Sequence, residues 1–123
     1  MAISTIRFGS YTLLADADAE KTPEADIKSG PTTLHSIFVD NSANAAEDEY
    51  LKIWDATSPN EASDEPDFVI FIPQGKTVVI PLPVGGGYTI ATGLSYIGTV
   101  TQANTAAQTS PTASMKVLFL TAA

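Results

Sequence analysis

The chain has 123 residues, no cysteine, and fourteen acidic side chains against six basic ones, for a net charge of -8. That length suits one domain with a core that needs no staples, and the lack of cysteine excludes disulfides and thiolate metal sites. So negative a surface repels nucleic acid and anionic lipid, so neither is expected as a partner.

In chain order, Ile3 to Leu14 reads as a first strand with a bulge at Gly9-Ser10. Residues 1–8 are also suited to act as an N-terminal arm that orders on binding, as are the last residues, Thr121-Ala122-Ala123. Residues 15–30 alternate Asp16, Asp18, Glu20, Glu24 and Asp26 with small side chains and hold one large apolar residue, Ile27. With no apolar stripe to dock a helix, this segment reads as a mobile acidic loop. Gly30-Pro31 then opens a second strand, Leu34 to Val39. Asp40 to Glu49 follows as a turn, in which Asn41-Ser42-Ala43-Asn44 supplies residues that bond their own backbone.

Tyr50 to Trp54 is the next strand, with Tyr50, Lys52 and Trp54 on one face and Leu51 and Ile53 on the other. Asp55 to Asp67 is a long acidic loop broken by Pro59 and Pro66. Phe68 to Ile72 is apolar throughout, which predicts a central strand or one covered on both sides. Pro73 to Lys76 fits a hairpin turn, so Thr77 to Leu82 is expected to pair back on it, ended by Pro81 and Pro83. Gly85-Gly86-Gly87 makes a bend before Tyr88 to Ala91, and Gly93 to Val100 is a further strand. Thr101 to Thr112 reads as a loop and Ser114 to Leu120 as the last strand, with Met115, Val117 and Phe119 on one side. The fold class predicted is all-β, an antiparallel β-sandwich of jelly-roll-like or Ig-like form. It has about seven or eight short strands and long acidic loops in a single domain spanning 1–123. Ile53 and Ile70 are expected core residues.

The catalytic inventory is thin. His35 is the sole histidine, it lies inside a strand, and no Gly-x-Ser-x-Gly elbow accompanies it, so packing or surface exposure outweighs catalysis. One histidine without cysteine disfavours zinc. Asp16-x-Asp18-x-Glu20 has the first spacings of a calcium loop but lacks its glycine and its twelfth-position glutamate. Glu47-Asp48-Glu49 and the group Asp64, Glu65 and Asp67 are read as solvated loop charge. Gly85-Gly86-Gly87 has no Lys-Ser or Lys-Thr after it and is no phosphate loop. No metal, no cofactor and no enzymatic activity is expected. All fourteen acids lie at or before Asp67, and residues 68–123 carry only Lys76 and Lys116. The second half therefore offers weakly charged β surface for protein neighbours. Ile3, Ile6 and Phe8 in the arm and Tyr50 with Trp54 on one strand face are the candidate protein contacts.

Residues 30–120 carry Gly30-Pro31-Thr32-Thr33-Leu34, Asp40-Asn41-Ser42-Ala43-Asn44, Tyr50-Leu51-Lys52-Ile53-Trp54-Asp55, Pro66-Asp67, Ile80-Pro81 and Gly93-Leu94-Ser95-Tyr96 in that order. This resembles small all-β virion proteins of tailed phages. Those carry an L-x-x-I-x-x-D-N-S-x-N strand and turn before Y-L-K-I-x-D, then P-D, a proline-ended hairpin and G-L-S. These are fold motifs with no catalytic residue among them. The resemblance implies a non-enzymatic virion structural protein, most simply a capsid cement or decoration protein that stabilises the head lattice. Its partners would be the major capsid protein or other virion proteins, together with copies of itself, a trimer being one arrangement. The alternatives are a neck, tail or baseplate component and, from another class, a small carbohydrate-binding module. Met1 to Arg7 lacks the pattern of a secretory signal. No apolar stretch approaches the ~20 residues of a membrane helix. The expected location is therefore the virion, after assembly in the host cytoplasm, with no membrane partner.

Overall fold

The computed structural model describes residues 3–82 and 86–122, and of Phe8 the backbone alone. Ten strands form two antiparallel sheets facing each other across one core: β1 (Ile3–Phe8), β2 (Tyr11–Ala19), β3 (Glu24–Ser29), β4 (Thr32–Asp40), β5 (Glu49–Asp55), β6 (Phe68–Ile72), β7 (Thr77–Pro81), β8 (Tyr88–Ile90), β9 (Gly93–Thr99) and β10 (Met115–Ala122). The large sheet runs β1-β2-β10-β4-β7, with β8 also on β4, and the small sheet runs β3-β9-β5-β6. The antiparallel β-sandwich expected from the sequence is the fold observed.

Inward residues alternate along the regular strand stretches as the pleat requires, with a register shift in β4 between Leu34 and Ser36. Leu14, Leu34, Ile37, Val39, Val117 and Phe119 from the large sheet meet Leu51, Ile53, Ile72, Leu94 and Tyr96 from the small one. At Gly98 the two sheets approach so closely that a Cβ would lie 2.7 Å from Met115 Cε and 3.0 Å from Ala19 Cβ.

Four local expectations change. Gly9-Ser10 is a two-residue reversal, not a bulge. Phe8 pairs with Tyr11, and Gly9 takes φ +64°, so the first apolar segment folds into a hairpin and the proposed arm is a paired edge strand. Residues 15–30 are not a loop. β2 runs on through Ala19, and β3 pairs with β9. Ile27 of β3 packs partly against the core, but the inward positions of β2 beyond Leu14 are Asp16, at 2% exposure and accepting the Tyr96 hydroxyl, and Ala19, at 1%. Neither is large and apolar, so the strand leaves no hydrophobic signature.

β6 is the edge of the small sheet, not its centre. Phe68, Ile70 and Ile72 turn inward and Val69 and Phe71 face out, so the unbroken apolar run comes from an outer face that is apolar too. The Pro73 to Lys76 turn does not close a hairpin. It carries the chain to the large sheet, where β7 pairs with β4. Bonds from Asn41 N–H to the Lys76 carbonyl (2.9 Å) and from Gly75 N–H to the Asn44 carbonyl (3.0 Å) hold it there.

Candidate functional site

The motif residues singled out in the sequence act as fasteners. The Asn44 side chain donates to Asn41 Oδ1 (2.8 Å) and to the Ala113 carbonyl (3.0 Å), and accepts from Ala113 N–H (2.8 Å). Asp55 accepts the N–H groups of Ala91 (2.9 Å), Thr92 (2.8 Å) and Gly93 (3.1 Å), fixing the turn into β9. Burial pushes its carboxyl up, but these three donors together outweigh it and hold Asp55 below the ordinary value.

The outward face of β5 is roofed by two loops. Trp54, at 2% exposure, donates from Nε1 to the Asp64 carbonyl (3.1 Å). Lys52 is fully buried, and its Nζ donates to the Ala103 carbonyl (2.5 Å) and to Gln108 Oε1 (3.0 Å). No acid is among these acceptors, and desolvation lowers the pKa of the ammonium. Trp54 is therefore not a contact anchor, because the acidic loop expected to lie free in water closes over it.

Glu49 is fully buried at the start of β5, and neither carboxyl oxygen has a hydrogen-bond partner of ordinary geometry. Burial first, then Glu47 and Asp48, pushes it up to about 9, so it is neutral at pH 7. Glu47 beside it stays ionised below its usual range. It is held first by Thr112 N–H (2.6 Å), then by the Glu49 carboxyl, while the Thr112 hydroxyl adds a bond at 2.9 Å. The reading of Glu47-Asp48-Glu49 as solvated loop charge therefore fails at Glu49, which is the first residue of β5 and turns to its inward side, a placement that the run of acids does not reveal. No group of three or more His, Asp or Glu that could hold a metal ion occurs among the described residues. His35 stands edge-on to Tyr11 with ring centroids 5.6 Å apart.

The exposed large apolar side chains lie on the two outer sheet faces. On the small sheet, Phe71 is 50% and Val69 41% exposed, and half-buried Tyr50 stands against Phe71 with ring centroids 5.6 Å apart. On the large sheet, Ile6 is 55% and Val79 64% exposed. Of the candidate contacts, Ile6 and Tyr50 therefore lie on these faces. Ile3 packs partly against the core, Trp54 is enclosed, and the Phe8 side chain lies outside the described residues. Phe71, Val69 and Val79 were missed because outward apolar residues on edge strands look the same in sequence as buried ones.

No family model matches the chain, and no curated protein does. Among solved structures it is similar to an RmlC-like cupin protein from Desulfovibrio desulfuricans, at 13% identity over 98% of this chain and 80% of that one, with a TM-score of 0.36.

Proposed function

We propose that this protein is a non-enzymatic structural component of a tailed-phage virion, and specifically a decoration protein that binds the assembled head lattice. One observation carries the reading: an otherwise acidic domain presents exposed apolar side chains on both outer faces, Val69 and Phe71 on one and Ile6 and Val79 on the other. Such patches on a soluble domain mark protein contacts. Two of them on opposite sides let one copy touch two neighbours, as a lattice protein must. Each contact can then be weak, because neighbours engage together and raise the effective concentration. The order of fold motifs from Gly30 to Leu120, which resembles that of small phage virion proteins, supports the same reading.

A carbohydrate-binding module is the reading from another class, and the Tyr50–Phe71 pair is what favours it. The two ring planes lie 48° apart, which is a poor platform for the flat face of a sugar.

The test is co-sedimentation with phage capsids that lack the protein. Saturable, stoichiometric binding that is lost in Phe71→Ser is the expected result. Incorporation into isolated tails without capsid binding moves the assignment to the neck or tail. Retention on a polysaccharide matrix with neither of these makes it a carbohydrate binder.

A further inference from the structure

The outward face of the large sheet is built from two rows that each cross five strands. The first row is Ile6, Leu13, Leu120, Ser36 and Pro81, and the second is Ser4, Ala15, Leu118, Phe38 and Val79. Neither row contains a charged residue, in a chain of net charge -8. All ten positions are exposed or half-buried.

Bulk is distributed unevenly. In the first row the large residues, Ile6 and Leu13, stand on β1 and β2, and the smaller ones, Ser36 and Pro81, on β4 and β7. In the second row this reverses, with Ser4 and Ala15 small and Phe38 and Val79 large. The small half of the second row is a shallow groove of about 170 Å³, with Ser4, Ala15, Ala17, Lys116 and Leu118 among its walls.

From this pattern we infer that the large-sheet face pairs with the same face of a second copy, about a two-fold axis lying along β10. That operation keeps each residue in its row and exchanges the two sides of the sheet. Phe38 of one copy then lies over Ala15 of the other, Val79 over Ser4, Leu13 over Ser36, and Leu118 and Leu120 over themselves. Off the axis, Phe38, Val79 and Leu13 each meet a small residue and Ile6 meets Pro81, while the two leucines stack on the axis, so the surface is largely self-complementary, as an isologous interface requires.

Charge permits the same occupant. Two acidic copies repel wherever their acids meet, and the two rows bring none together, the flanking row carrying one base and one acid, Lys116 on the axis and Asp40 beside it. Strands ~4.8 Å apart, with flanking rows included, make a face of roughly 500 to 600 Å². Two such faces bury about 1,000 to 1,200 Å² together, at the low end for a specific interface. The dimer is therefore reversible, and it leaves the Phe71 face of each copy free for the lattice. This inference builds on the assembly reading above, but its test needs no virion.

The experiment is sedimentation velocity of the purified full chain over a concentration series, with circular dichroism as the folding check on each variant. The expected result is a reversible rise from one to two chains. Ala15→Phe blocks the groove and Phe38→Ala removes the knob, so each alone weakens the dimer by at least about tenfold. The double variant recovers it, because knob and groove have changed places. Val79→Glu, on an exposed edge, keeps the fold and holds the chain as a monomer, so the test survives failure of the groove variants to fold. A single chain at every soluble concentration overturns the inference, as does a dimer indifferent to Val79→Glu. If the chain is monomeric and Val79→Glu instead abolishes capsid binding, the face belongs to the capsid protein. The assembly reading then stands without the dimer.

Discussion

Glu49 is the residue at which burial most opposes ordinary chemistry. In the unfolded chain its carboxyl ionises near 4.5, while in the fold it keeps its proton to about 9. Its contribution to stability is therefore complete below about pH 4.5 and is lost as pH rises through 9, because the unfolded state releases the proton first. The melting temperature is expected to fall as pH rises over that window. Glu49→Gln, which keeps the size and a donor, should flatten the dependence and raise the melting temperature by several degrees at neutral pH. An unchanged slope in a pH series of thermal melts would place the titrating group elsewhere. Two isoleucines give a second test at this scale. Ile53 has no exposure, so Ile53→Ala should cost ~2–5 kcal/mol, the range for emptying a buried site. Ile70 is only half-buried on edge strand β6, so Ile70→Ala should cost clearly less in the same denaturant titration.

At the scale of elements, the loops and turns are fastened as firmly as the strands. Asn44, 4% exposed, joins the turn after β4 to Ala113 ahead of β10. Asn44→Ala leaves those half-buried backbone groups without their side-chain partner and should cost ~1 kcal/mol or somewhat more, measured by chemical denaturation. This fastening also explains which elements were legible in the sequence. β4, β5, β9 and β10 were readable because their inward residues are large and apolar, from Leu34 in β4 to Phe119 in β10. β2 beyond Leu14 and all of β3 were not, because a buried Asp16 satisfied by Tyr96 and a buried Ala19 look like loop composition. β3 also bends at Asp26, with φ 51°, which breaks its alternation and shifts its register on β9. The candidate contacts were half legible. Ile6 follows from its apolar place in the first segment and Tyr50 from its strand face, but enclosing Trp54 takes a loop bond to Asp64 that periodicity does not encode.

The whole molecule keeps its charge off the centre of one face. All fourteen acids lie at or before Asp67, and the two central rows of the large sheet contain none of them, Asp40 and Lys116 standing in the row beside them. With no three-ligand acidic group among the described residues, a chelator should leave the melting temperature unchanged. A large drop in a thermal melt with chelator would instead assign a cation to the acidic segments. The charge also fixes how self-association must respond to salt. Two chains of net charge -8 repel as bodies, and the contact rows hold no ion pairs to offset this. Added salt shortens the screening length from ~30 Å at 0.01 M to ~8 Å at 0.15 M, which removes much of the repulsion and none of the apolar contact. Dimerisation through the large-sheet face should therefore tighten as salt rises over that range. An interface held by surface ion pairs, such as Lys76 or Lys116 against an acidic loop, would loosen instead. Sedimentation equilibrium at the two ionic strengths separates these cases, and a dimer that weakens with salt would place the contact on the charged side of the molecule.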